Sequence, residues 1–274
     1  MDALTTFFER FHLKASVFFT DSLCGQSHFE AQPGLGHIHL VESGELQLFQ
    51  SGRKTILINE SSVIFYPAPI SHSFKTKVDQ SVNLVCGNIY IGITEGNELF
   101  SGLPEVLIVS LREFPELKTL MALIFSESSK SEQGKSQSIN LLLEYFVILL
   151  LRHAMNHDLV KHGVLAALGN KLLAPLIMKL HQNPENSWTI ESMGKEIGMS
   201  RTKFANYFKG CLGETPMEYL TNWRLNLAKF LIKDGVSLKL IPDKVGYSNE
   251  ISFARAYEKK FGLTPFKSKS LLAL

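Results

Sequence analysis

The stretch Ile197–Pro216, IGMSRTKFANYFKGCLGETP, is restated near the end of the chain as Val245–Pro265, VGYSNEISFARAYEKKFGLTP. Phe204, Phe208, Leu212, Gly213, Thr215 and Pro216 recur as Phe253, Tyr257, Phe261, Gly262, Thr264 and Pro265, every one 49 residues on. Gly198 and Gly246 are only 48 apart, so the second copy carries one extra residue before its first phenylalanine. Self-similarity at fixed spacing marks a repeated supersecondary unit. Two copies fit a bundle of paired units better than a solenoid.

Each copy reads as helix, tight glycine turn, helix. In ESMGKEIGMSRTKFANYFK, Gly198 supplies the turn, where a positive φ costs glycine little. Thr189 is placed to cap the first helix, with Glu191 and Ser192 in its first turn, and Ser200 to cap the second. Phe204 and Phe208, four residues apart, bury one face of that second helix. The other face presents Arg201, Thr202, Lys203, Asn206 and Lys209. In the second copy the same face carries Asn249, Glu250, Ser252, Arg255 and Lys259. Polar donors and cations on an exposed helix face suit a major-groove reader. The helix between the copies, Met217–Lys233, spans roughly 25 Å at 1.5 Å per residue. With its flanking turns it can set two reading helices about 34 Å apart, one turn of DNA. Pro242 falls inside the second copy's first helix. An interior proline costs on the order of 3 kcal/mol, so that helix is expected to be short or shifted.

Charge sorts the same way. Residues 169–274 hold 16 Lys+Arg against 9 Asp+Glu, a net of +7, and residues 1–168 hold 12 against 17, a net of −5. The basic part is the one expected to meet a polyanion, double-stranded DNA. Cys24, Cys86 and Cys211 are scattered and form no CxxC pair, which argues against a disulfide framework or zinc knot and fits a cytoplasmic protein. The acidic residues early in MDALTTFFERFHLK do not fit a signal peptide. INLLLEYFVILLLRHAM carries Glu144, Arg152 and His153, so it reads as a buried or interfacial helix and no membrane span. Cys86, in an apolar run, reads as a buried small hydrophobe, and Trp188 and Trp223 as core anchors.

The first half reads as short strands broken by turn signals, HIHLVESGELQLFQSGRKTILINESSVIFYPAPISHSF, which suggests a sandwich or small barrel. The chain is accordingly expected to be α+β with two domains: residues 1–157, a linker at 158–168, and an all-α domain at 169–274 with helix-turn-helix units near 189–210 and 237–261.

WTIESMGKEIGMSRTKFANYFK, the connector TPMEYLTNWRLNLAKFLI and VGYSNEISFARAYEKKFGLTP together resemble the DNA-binding domain of AraC/XylS-type transcriptional regulators. Looser likenesses in DALTTFFERFHLKASVFF, HIHLVESGELQL, VIFYPAPISHSF and LVCGNIYI resemble the cupin-type sensor domain of one branch of that family. The resemblance implies a cupin-like β-barrel with trailing helices, a small-molecule effector held in it, and recognition helices that enter the major groove through Arg201, Thr202, Lys203 and Asn206, then Asn249, Glu250, Ser252 and Arg255. RNA polymerase is a further expected partner.

Cupins often bind a metal through histidines and a glutamate, and His37, His39, Glu42 and His72 form a legitimate ligand set. On a strand, however, His37 and His39 face one side and Glu42 the other. The expectation is therefore no metal and no cofactor, with His37, His39 and His72 as polar groups of an effector pocket. The alternative is a metal-dependent cupin enzyme with an accessory helical domain. No Ser/His/Asp arrangement, phosphate loop or paired-carboxylate motif supports catalysis. The helix Ile139–Met155 carries leucines on several faces, which predicts a homodimer through its surplus face.

Overall fold

The computed structural model describes residues 4, 5, 8, 12–91, 100, 102–157 and 159–272. Most of the first eleven residues, on which the signal-peptide reading falls, lie outside the described residues. Contacts along the chain divide it into two units, His12–Lys161 on the one hand and Met1–Phe11 with His162–Leu274 on the other.

The N-terminal unit holds nine strands: β1 (Leu13–Cys24), β2 (Gln26–Phe29), β3 (Gly36–Val41), β4 (Leu46–Phe49), β5 (Ile56–Ile58), β6 (Ser62–Tyr66), β7 (His72–Thr76), β8 (Ser81–Ile91) and β9 (Leu107–Ser110). They form two antiparallel sheets, ordered β1-β8-β3-β6-β9 and β2-β7-β4-β5. The chain leaves the first sheet for the second at Gly25, between β1 and β2. The β-rich, cupin-like domain with trailing helices is as expected, but its sheets are not closed into a barrel. Among the described residues no strand pairing joins one sheet to the other.

Two helices follow, α1 (Pro115–Ser128) and α2 (Lys135–Asn156). By length and composition α2 could cross a membrane, but it buries Ile139, Leu143, Phe146, Val147, Leu150, Leu151 and Ala154 in its own domain. It also covers an exposed sheet edge. Asn140 Oδ1 accepts from Val17 N at 2.8 Å and Glu144 Oε1 from Ala15 N at 3.2 Å, on the edge strand β1. Unpaired edge amides invite pairing with other chains, and these side chains occupy two of them. A Cβ on Gly87 would lie 2.9 Å from Leu143 Cδ1, so glycine there lets helix and sheet approach. Strand β3 is buried along its whole length because it is flanked by β8 and β6 and covered on both faces.

The C-terminal unit is helical: α3 (Gly163–Gly169), α4 (Leu173–Gln182), α5 (Ile190–Glu196), α6 (Arg201–Leu212), α7 (Pro216–Lys233), α8 (Ile241–Lys244), α9 (Glu250–Phe261) and α10 (Pro265–Leu272). The stretch expected as a linker, 158–168, holds a short helix. Its second half is α3, whose Leu165 and Leu168 are apolar groups buried against neighbouring helices. The repeated G-x-T-P is helix punctuation. Gly213 (φ 86°) and Gly262 (φ 70°) end α6 and α9 in the left-handed conformation. Thr215 then caps α7 in a box with Glu218, and Pro216 takes the first turn. The expected short first helix of the second unit is found: α8 has four residues, with Pro242 in its first turn.

Candidate nucleic-acid interface and histidine cluster

In the first unit α5 and α6 meet around Gly198 (φ 67°). Thr189 caps α5 as expected, and it does so in a capping box with Ser192, the two exchanging backbone and side-chain hydrogen bonds at 2.9 and 3.0 Å. Ser200 stands at the N-cap of α6 but its side chain makes no capping bond, contrary to expectation. Phe204, Phe208 and Leu212 are buried, with Phe208 edge-on to Tyr219 at 5.6 Å between centroids. Behind them His181, 3% exposed, stacks on Trp223 at 3.3 Å and 6°, and its Nε2 lies 2.6 Å from the Tyr219 hydroxyl. The inward face of α6 is thus fixed, and Arg201, Thr202, Lys203, Asn206 and Lys209 are all exposed on the outer one.

The second unit repeats this around its own core, where Phe253 and Tyr257 join Leu227, Ile232, Ile241 and Val245. Asn249, Glu250, Ser252, Arg255 and Lys259 are exposed, yet two of them do local work. Asn249 Oδ1 accepts from Ser252 N at 2.8 Å and caps α9, while Ser252 Oγ donates to Asn249 O at 3.0 Å. Those oxygens serve the helix start, and Glu250, Arg255 and Lys259 carry the charged groups of the face. The sequence reading missed Ile251, one turn before Arg255 and 67% exposed. An apolar side chain in such a row suits the thymine methyl group. Its signal was present in the 49-residue offset, which aligns Ile251 with exposed Thr202. Among the described residues Arg201, Lys203, Lys209, Arg255 and Lys259 form no salt bridge. Their charge is available to phosphate.

One side chain ties the two units together. Arg224, on α7, donates from Nε to Pro184 O at 2.8 Å and from Nη2 to Asn186 O at 2.9 Å, just ahead of α5. Its guanidinium also packs under Gly246, the turn glycine of the second unit.

In the N-terminal unit β3 places His37 and His39 on the same face, opposite β6, and β7 supplies His72 from the other sheet. All three are buried and their ligating nitrogens lie within 4.8 Å of one another. His39 Nε2 and His72 Nε2 are 2.8 Å apart. His72 Nδ1 donates to the Ile70 carbonyl at 2.8 Å, so its Nε2 is the bare nitrogen. Aromatic rings wall the cluster. Tyr66 stacks on His72 at 3.9 Å, Phe29 stacks on it at 5.2 Å, and Phe74 stands edge-on to His39 at 4.7 Å. These rings were not foreseen in the sequence. Burial holds the three imidazoles below the usual histidine pKa, His72 at about 4, and the His39–His72 and His39–His37 neighbours add to the effect at His39. His37 Nδ1, His39 Nδ1 and the Tyr66 hydroxyl have no partner. Glu42 stands apart, exposed, accepting from Asn83 Nδ2 at 3.0 Å. Cys86 is fully buried and burial raises its pKa, as its apolar setting suggested.

Residues 2–156 match the family model described as Cupin, and residues 193–268 that of a helix-turn-helix domain. The chain belongs to the AraC-type transcriptional regulators that carry a cupin domain. It is 28% identical over 273 residues to an uncharacterized HTH-type transcriptional regulator of Haemophilus influenzae, covering 90% of each chain. It is 27% identical over 300 residues to the HTH-type transcriptional regulator AlkR of Acinetobacter baylyi, covering 97% of this chain and 98% of that one. Against the RCS-specific HTH-type transcriptional activator RclR of Escherichia coli it is 25% identical over 232 residues, covering 83% and 81%. These likenesses make the regulator a DNA-binding protein and leave the cupin-enzyme alternative without support.

Proposed function

We propose that this regulator reads DNA with both α6 and α9, held on α7 as a common frame. The observation that carries it is the pair of glycine-terminated helices whose inward faces are locked by aromatic packing and whose outward faces hold cations outside any salt bridge. On α6 the base-facing groups are Arg201, Thr202, Lys203 and Asn206, with Lys209 on phosphate. On α9 they are Glu250, Ile251 and Arg255, with Lys259 on phosphate and Asn249 and Ser252 holding the helix start. Fluorescence anisotropy on a promoter fragment tests this. A specific duplex should bind far more tightly than a random one at moderate salt, and equal binding of both would leave only sequence-blind phosphate contact.

Residues 12–161 act as the sensor in this reading, with the histidine cluster as the effector site. A cavity of about 620 Å³ also lies along β1, β8 and α1, lined by Thr20, Asp21, Ser22, Glu42, Asn83 and Phe125 among others. Polar groups there bond one another, Ser22 to Asn83 and Asn83 to Glu42, whereas in the cluster His37 Nδ1, His39 Nδ1 and the Tyr66 hydroxyl are left unsatisfied. Homodimerisation through α2 is part of the proposal, with a changed contact face. Leu143, Leu150 and Leu151, part of the expected leucine surplus, are core residues at 0% exposure, while Leu141 (55%) and Tyr145 (50%) remain outside, one turn apart. Action in the cytoplasm and contact with RNA polymerase complete the reading.

A further inference from the structure

We propose that Asn222 and Arg224, on α7, are positioning residues that fix the distance and angle between the two reading helices, so that the regulator discriminates DNA sites by the number of base pairs between two half-sites. The inference rests on the two-helix reading above and adds spacing to the features by which this protein selects its site.

Apolar packing attaches each helix-turn-helix head to its own half of α7. Tyr219 and Trp223 pack against Phe208 and His181 on the side of the first head. Leu225, Leu227, Ala228 and Ile232 join the core around Phe253 and Tyr257 in the second. Packed helices can still slide past one another by small steps, so apolar contact alone does not lock one head to the other.

Two half-buried polar side chains at the middle of α7 reach both heads. Asn222 Nδ2 donates to Glu214 Oε2 at 2.8 Å, just past the end of α6, and Asn222 Oδ1 accepts from Lys260 Nζ at 2.9 Å, in the last turn of α9. One amide thus joins the C-terminal ends of both reading helices, with a carboxylate on one side and an ammonium on the other. Hydrogen bonds to ionised groups are shorter and stronger than neutral ones.

Arg224 makes a second clamp. Its bonds to Pro184 O and Asn186 O hold the approach to α5, and its guanidinium lies under Gly246, ahead of α9. The two backbones also approach closely there, since a Cβ on Gly246 would lie 2.8 Å from Pro184 O. Residues two apart point about 200° from each other around a helix of 3.6 residues per turn. The clamps therefore leave α7 on opposite flanks, and together they resist the rocking about α7 that either one alone would permit.

DNA turns that rigidity into specificity. One added base pair shifts the second half-site by about 3.4 Å and rotates it by about 34–36°. Clamped heads cannot follow, so one of them gives up base contacts, and a single good bidentate contact is worth about 5–150-fold in affinity.

The test takes the full chain and the duplex that it enriches from a random pool. A synthetic series then adds or removes one base pair between the two enriched blocks, and fluorescence anisotropy at moderate salt reads the binding. Wild type should lose at least about tenfold on either change. With Asn222→Ala and Arg224→Met combined, the best site should bind more weakly, and the loss on changing the spacer should fall below about threefold, because unclamped heads can each keep their base contacts. Lys209→Ala, which removes a phosphate contact of the first head, should weaken every spacing alike and keep the wild-type ratio between them. Circular dichroism shows which variants fold, and if the double variant does not, Asn222→Ala decides by lowering the spacing penalty on its own. A clamp variant that keeps the wild-type penalty, or a wild type indifferent to spacing, overturns the inference and leaves reading by two helices intact. Enrichment of a single block by wild type overturns both.

Discussion

Gly246→Ala is expected to damage the second reading unit far more than a one-carbon change suggests. An alanine Cβ there would lie 2.6 Å from Arg224 Nη2, 2.8 Å from its Cζ and 2.8 Å from Pro184 O. Gly246 also sits at φ 79°, where a non-glycine residue costs about 1–2 kcal/mol. The guanidinium is not a free end that can swing away, since it donates at 2.8 and 2.9 Å to Pro184 O and Asn186 O. Each hydrogen bond from a charged donor is worth about 1.5–3 kcal/mol. Losing one bond on top of the backbone strain gives a penalty of about 3–5 kcal/mol. Arg224→Met removes both bonds without the strain, and water can reach the freed carbonyls, so about 1–3 kcal/mol is expected. The two changes act through the same contact, so their penalties should not add. Native-state amide exchange of α8 and α9 measures the local opening free energy in wild type, both single variants and the double variant. Additive penalties within about 0.5 kcal/mol would refute the claim that Arg224 and the second unit's turn are packed together.

Other outcomes follow from the same geometry. Arg255→Ala should cost about 1–3 kcal/mol on the specific duplex and relax one or two base pairs, while Lys209→Ala should weaken all duplexes alike and lower the salt slope by about one; a uniform loss for Arg255→Ala would assign it to phosphate. Leu141→Glu should shift sedimentation toward monomer with the fold intact, whereas Leu150→Glu buries a charge in the core and should unfold the sensor domain. A wild-type protein that stays monomeric at tens of micromolar would argue against the α2 dimer. His153 packs edge-on to Phe114 at 3.7 Å beside His157 at 4.0 Å, and burial first, then His157, lowers its pKa from 6.5 to about 4. The folded state favours the neutral ring, so its contribution is intact above pH 6.5, is lost as pH falls toward 4, and changes no further below. Thermal melts across that window should be flatter for His153→Phe.

The helical half was legible because its information is local. The 49-residue repeat, the turn glycines, Thr189 and the G-x-T-P punctuation each specify a helix boundary by short-range hydrogen bonding, and Pro242 foretold the short α8. What the spacing of polar residues did not show is that Asn249 and Ser252, read as DNA-facing groups, also bond each other at the start of α9. The sensor half depends on contacts between residues far apart. Strand alternation put His37 and His39 on one face and set Glu42 aside, but nothing local says that β7 brings His72 to 2.8 Å from His39 across the two sheets. The same holds for Arg224, whose role needs Pro184 and Gly246 together. Leucine counting on α2 pointed to a surplus apolar face but not to its residues, because amphipathic periodicity cannot tell which faces the sheet covers; Leu150 faces inward and Leu141 does not.

The central claim is that two helices read two stretches of one DNA site. Selection of binding sequences from a random duplex pool, run with wild type, an Asn206→Ala variant and an Arg255→Ala variant, tests it directly. Wild type should enrich two short blocks centred about one helical turn apart, roughly 10–10.5 base pairs. Asn206→Ala should blur one block and Arg255→Ala the other. A single enriched block that both variants blur equally, or none at all, would contradict reading by two heads.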